Sequence, residues 1–164
     1  MNHDLTREWL VKKLEKAKTP LLSVGKPIYE PEIELQGHVV SIHPMGTVEE
    51  GLCFEVEGPI CYDNDSWSTI VSTAVLEHVP VPAAIFAECS RILAPGGDLF
   101  VAVRGQNYPF HAAPDLWRFT PGCLTHLAGE VGLQVIEEFS HPEVGDSRGL
   151  TDRVFHARKP AKTP

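Results

Sequence analysis

Strand, helix and strand alternate in the second half of this 164-residue chain, and that order predicts an α/β protein on a mostly parallel sheet. Residues 69–75 (TIVSTAV) are apolar on both faces, as a parallel strand covered on both sides must be. Residues 82–93 carry Ile85, Phe86, Cys89 and Leu93 on one helical face and Glu88 and Arg91 on the other. Pro95-Gly96-Gly97 then reads as a turn leading into a buried strand at 98–103. Two further strands, 133–139 and 152–157, are expected to close the sheet as its antiparallel C-terminal edge.

The remaining elements follow from local pattern. Leu5, Trp9, Leu10, Leu14 and Ala17 recur at helical spacing with lysines between them, so residues 4–18 form a surface helix packed on the core. Thr19-Pro20 ends it, since the residue before proline disfavours helical backbone. Residues 21–25 and 39–43 read as short buried strands. Thirteen residues with Pro27 and Pro31 separate them, room for one short helical turn near 32–35. Residues 52–57 alternate apolar and polar like a half-buried strand, and only eight residues (44–51) precede it. A helical crossover needs at least ~10 to 12 residues, so the helices beside the second and third strands are expected to be truncated or missing. A helix at 121–131 begins with Thr120 as N-cap and Pro121 in first position, and Gly132 stops it.

Composition narrows the function. The apolar fraction of 43% and charged fraction of 22% are those of a globular domain, expected to span 1–159 with a loose tail at 160–164. The formal net charge of −8, with lysines and arginines scattered, excludes a nucleic-acid partner. No apolar run is long enough to span a bilayer and no leader pattern opens the chain, which predicts a cytoplasmic protein without a membrane partner. Cys53, Cys61, Cys89 and Cys123 lack C-x-x-C spacing and are expected to be buried free thiols, with no metal site.

Three segments carry a family resemblance: 75–79 (VLEHV) with 91–97 (RILAPGG), 63–67 (DNDSW), and 116–121 (LWRFTP). In that order they resemble class I S-adenosylmethionine-dependent methyltransferases of the type 11 group, with their "VLEHV", "RVLKPGG", "PDNSFD" and "YWRFTP". The likeness covers about residues 60–139, half of the chain. It implies a Rossmann-like methyltransferase sheet in which Glu77 and His78 border the methyl-transfer pocket and Trp117 and Arg118 line the substrate side. The first half departs from the family pattern. Of its G-x-G-x-G only Gly25 remains, followed by Lys26-Pro27, and Pro27 has no N–H to offer. His43 stands where the family has a ribose-binding acid, and Ser23 and Ser68 where it usually has acidic residues.

Open parallel sheets bind ligands at the carboxyl ends of their strands, which gathers Ser23, Gly25, His43, Glu77, His78, Arg104 and the loop 106–118 around one crevice. His78 or His111 can take a proton from a substrate hydroxyl, with Asp115 four residues beyond His111; equally, His78 can cap a backbone group and His111 stand in solvent. Arg104, Tyr108, Trp117 and Arg118 form the substrate side, although Arg118 can instead pair with Asp115 or Glu77. Two functions follow. The first is a methyltransferase-fold binding or partner module whose S-adenosylmethionine site is lost or rebuilt. It would cover an exposed apolar face at 39–56 with a second copy or another protein. The second is an active methyltransferase for a small molecule or glycan precursor, holding the cofactor with Ser23, Gly25, His43, Glu57 and Glu77.

Overall fold

The computed structural model describes residues 3–24, 39–42, 62–109, 114–142 and 151–162. In chain order these are α1 (His3–Leu14), β1 (Leu21–Val24), β2 (Val39–Ile42), β3 (Trp67–Thr73), a 3₁₀ turn (Leu76–His78), α2 (Pro82–Ile92), β4 (Leu93–Arg104), α3 (Cys123–Glu130), β5 (Gln134–Pro142) and β6 (Thr151–Arg158). They build one sheet in the order β2-β1-β3-β4-β6-β5. The first four of these strands run parallel, and β6 is antiparallel to both β4 and β5. This is the Rossmann-like sheet with an antiparallel C-terminal edge that the sequence predicts.

Side chains alternate across a strand, so each strand feeds two cores. Leu22, Ile70, Leu99, Val101 and Phe155 meet Ile85, Phe86 and Cys89 of α2 and Leu124 and Ala128 of α3 in the larger core. Leu21, Val71 and Phe100 point to the opposite face, where they meet Leu10 and Leu14 with Trp9 and Ala17 packed alongside. Burying each such Leu or Phe contributes about 1.5–3 kcal/mol, so the α2/α3 side dominates cohesion. Cys89 is a buried free thiol, pushed up to about 12 by burial, and Cys123 is half-buried and free. Among the described residues no helix is long and apolar enough to cross a membrane.

Several expected boundaries move, each for a local reason. Helix α1 stops at Leu14, and its last carbonyls are capped by tighter turns from the N–H groups of Lys16 and Ala17. Pro95-Gly96-Gly97 is no separate turn but part of β4. Trp67 pairs with Leu93 and Thr69 with Asp98, so the segment bulges out of the ladder. Gly96 (φ 76°) donates to Lys159 O at 2.9 Å, and Gly97 O accepts from Lys159 N at 3.0 Å. A Cβ on Gly97 would lie 2.8 Å from Ala94 O and 2.9 Å from Ser68 O, which makes glycine mandatory. Helix α3 starts at Cys123, two residues later than expected. Gly122 adopts φ 79°, and Thr120 to Cys123 close a turn instead of a first helical turn. Gly132 (φ 73°) does end the helix, with Leu133 N bonded to Ala128 O at 3.0 Å. The strand expected at 52–57, the crossovers around it and the side chains of the 39–56 face lie outside the described residues.

Candidate active-site crevice

Chain order and sheet order part at β1, which has β2 on one side and β3 on the other. At such a reversal the loops leaving neighbouring strands diverge and open a crevice beyond their carboxyl ends. Ser23 lies one residue inside that end of β1, buried, in register with Ser41 of β2 and Val71 of β3. Gly25, His43, Glu57 and His111 lie outside the described residues.

Glu77 is the knot of the described part. Beyond β3, Ala74 takes a left-handed conformation (φ 52°) with its N–H on Ala102 O at 2.9 Å, and the 3₁₀ turn carrying Glu77 follows. A non-glycine residue held there costs about 1–3 kcal/mol, which the surrounding contacts must offset. Glu77 supplies such contacts. Its Oε1 accepts the Arg104 N–H at 2.6 Å, and its carbonyl accepts the N–H groups of Leu116 at 2.7 Å and Trp117 at 3.3 Å. The end of β3, the end of β4 and the loop before α3 are thereby locked together. The carboxyl is fully buried, and among the described residues Oε2 has no hydrogen-bond partner. Burial pushes its pKa up, against the opposing pull of backbone N–H groups and of the His78 and Arg104 charges. Desolvation of this kind works against the charged form of a carboxyl.

His78 is half-buried, and its Nδ1 is bonded to Pro114 O. A carbonyl only accepts, so Nδ1 carries the hydrogen and Nε2 of the neutral ring keeps its lone pair. The sequence left two roles open for this residue, a backbone cap and a base, and the bond to Pro114 O is the cap. Trp117 donates Nε1–H to Val79 O at 2.8 Å while 44% of the residue stays exposed, beside Leu116. Arg104 places its guanidinium carbon 5.2 Å from the Tyr108 ring centre, and its Nε is buried with no hydrogen-bond partner.

Arg118 and Asp115 hold each other. The guanidinium grips both carboxylate oxygens at 2.5 and 2.6 Å and donates further to the carbonyls of Tyr108, Pro109 and Trp117. The pairing raises the Arg118 pKa. With its donors committed to the loop, Arg118 is a brace of that loop, and Asp115 is its counter-ion. Sequence reasoning missed Gly105. Its N–H donates to Thr151 O at 2.8 Å, and a Cβ there would fall 2.5 Å from Thr151 Oγ1. A glycine directly after a strand was the one available signal.

Open α/β sheets of this kind bind ligands beyond the carboxyl ends of their strands, at the switch point. The chain belongs to the methyltransferase-domain family, whose model matches residues 29–138, and so to the class I S-adenosylmethionine-dependent methyltransferases. The ubiquinone biosynthesis O-methyltransferase of Burkholderia thailandensis is 27% identical over 127 residues, covering 64% of this chain and 55% of that protein. The chain thus spans about half the length of the curated relatives it matches. The 1,6-didemethyltoxoflavin-N1-methyltransferase of B. thailandensis, solved with 1,6-didemethyltoxoflavin and S-adenosylhomocysteine, superposes with a TM-score of 0.72 at 16% identity, covering 97% of this chain and 78% of that one. An S-adenosylmethionine-dependent methyltransferase from Mesorhizobium loti gives a TM-score of 0.71 at 10% identity, covering 97% and 100%. At such identities these two likenesses establish the fold alone.

Proposed function

We propose that this chain is a catalytic methyltransferase domain that transfers a methyl group from S-adenosylmethionine to a hydroxyl of a small molecule. The observation that carries this reading is the buried Glu77 knot beside the switch point, which among the described residues holds two buried polar atoms without a hydrogen-bond partner, Glu77 Oε2 and Arg104 Nε. Leaving such atoms buried and unpaired costs ~1–3 kcal/mol each, a cost a polar ligand would offset. Kinship to O-methyltransferases supports the same choice over the non-catalytic partner module.

The cofactor supplies an electrophilic sulfonium methyl when bound. Ser23 is assigned to its side of the crevice, where the sequence pattern also assigns Gly25, His43 and Glu57, and Glu77 to the boundary between the two ligands. Arg104, Tyr108 and Trp117 face the acceptor, and the Arg118–Asp115 brace keeps Trp117 in place. Methyl transfer needs alignment above all, and the locked loop provides it. His78 Nε2 takes the hydroxyl proton, with His111 as the other candidate base.

Isothermal titration with S-adenosylmethionine and S-adenosylhomocysteine tests the proposal. Micromolar binding, weakened strongly by Gly25→Val, is the expected result. With an acceptor in hand, His78→Gln lowers kcat ~100-fold or more and leaves cofactor affinity in place. No binding through millimolar cofactor returns the chain to the partner-module reading, whose test is its mass in solution.

A further inference from the structure

A cavity of about 420 Å³ opens between α1 and the strands β4 and β6, away from the crevice. Asp98 and Phe100 line it near the start of the regular part of β4, whereas Arg104 marks the crevice end. Six residues of strand put ~20 Å between the two sites. The volume falls within the ~300–1,000 Å³ usual for small-ligand pockets.

Its charge does not cancel. Lys12 and Lys13 line it from the last turn of α1, Lys16 from the turn that follows, and Arg158 from β6. Two carboxylates stand nearby, and each is already matched. Asp98 Oδ1 takes Arg158 at 2.8 Å and His156 Nε2 at 2.7 Å, and Glu137 takes Lys13 at 2.6 Å. Lys12 and Lys16 make no ion pair among the described residues. The negative end of the α1 dipole favours cations in the last turn but does not explain why they surround a cavity. The surplus is of opposite sign to the chain's formal net charge of −8. The floor is aromatic: Phe100 stacks on His156 at 4.5 Å, and Trp9 meets Phe100 edge-on at 6.0 Å.

We propose that this cavity is a second binding site, independent of the methyl-transfer reading, for a small phosphorylated molecule whose phosphate is held between Lys12 and Lys16. Flexible ammonium groups are phosphate binders that act as point charges. A ligand there also bridges α1 to the sheet and so stabilises the fold by mass action.

Titration of the whole chain with pyrophosphate at low ionic strength, read by calorimetry and by melting temperature, tests it. Saturable one-to-one binding with a rise in melting temperature is expected, and Lys12→Gln/Lys16→Gln weakens it ~10-fold or more. Both lysines are exposed, so the variant folds; Arg158→Gln is the second variant, with the same expected direction. No saturable binding through millimolar pyrophosphate, or binding that both variants retain, overturns the proposal.

Discussion

On the α2/α3 side of the sheet Phe86, Phe155, Leu76 and Ile92 are packed to near-zero exposure with one another, whereas on the α1 side five buried apolar residues share the face with Thr6, Asp98, Asp152 and His156. The first face is cohesive and indifferent to pH. The second is held by named polar pairs: Thr6 Oγ1 donates to Asp152 at 2.9 Å, Trp9 Nε1 donates to Glu137 at 3.0 Å, and Asp98 joins His156 to Arg158. The difference teaches where each job is done. Stability sits under α2, and recognition of a charged ligand is available under α1.

Truncating one phenylalanine on each face gives the largest expected effect. Phe86→Ala removes a ring packed on all sides, against Phe155 at 6.0 Å among others, and costs ~3–5 kcal/mol by urea denaturation. Phe100→Ala acts beside an existing cavity, so fewer contacts are lost and the neighbours can relax; ~2 kcal/mol is expected. Equal costs would break the contrast between the faces. A smaller effect comes from Trp9→Phe, which keeps the edge contacts to Phe100 and Phe139 but deletes the indole donor to Glu137. Glu137 retains Lys13, so the loss is about 1 kcal/mol, measured in the same way.

The cohesive face was far more legible in sequence than the polar one. Helix α2 and strands β3 and β4 announce themselves because period 3.6 and continuous apolar runs are local signals, and Ile85, Phe86 and Cys89 point inward as their spacing says. The pairs that organise the other face have no local signature. Asp98 and His156 are 58 residues apart, Thr6 and Asp152 146 apart, and register alone brings them together. The crevice falls between. Glu77, His78 and Arg104 were found through their places at strand ends, Trp117 and Arg118 through the family resemblance of residues 116–121, and Asp115 through its spacing from His111. That Arg118 spends its donors on its own loop depends on carbonyl positions no residue pattern encodes. Two boundary errors share one cause: glycines at 96 and 122 have positive φ, and a turn residue can equally begin, interrupt or delay an element.

Two glutamates sharpen the comparison with the smallest change at any single pH, because they tilt the stability curve in opposite directions. Burial raises the Glu77 pKa above its unfolded value. The unfolded chain then releases its proton first, so this contribution is complete in acid and is lost as pH rises through the folded pKa. Glu137 is also pushed up by burial, but the hydrogen bonds from Lys13 and Trp9 prevail and its pKa falls. Its contribution is present above the unfolded pKa and is lost as pH drops through the folded one. Glu77→Gln keeps an oxygen for the Arg104 N–H and supplies a neutral N–H₂ in place of the acid, so melting temperatures of the variant decline less than wild type between acid and neutral pH. Glu137→Gln does the reverse, losing stability at neutral pH and little in acid. Parallel profiles for the two variants would mean that crevice and α1 face share one electrostatic environment, and the contrast between a carboxyl governed by burial and one governed by ion pairing would not stand.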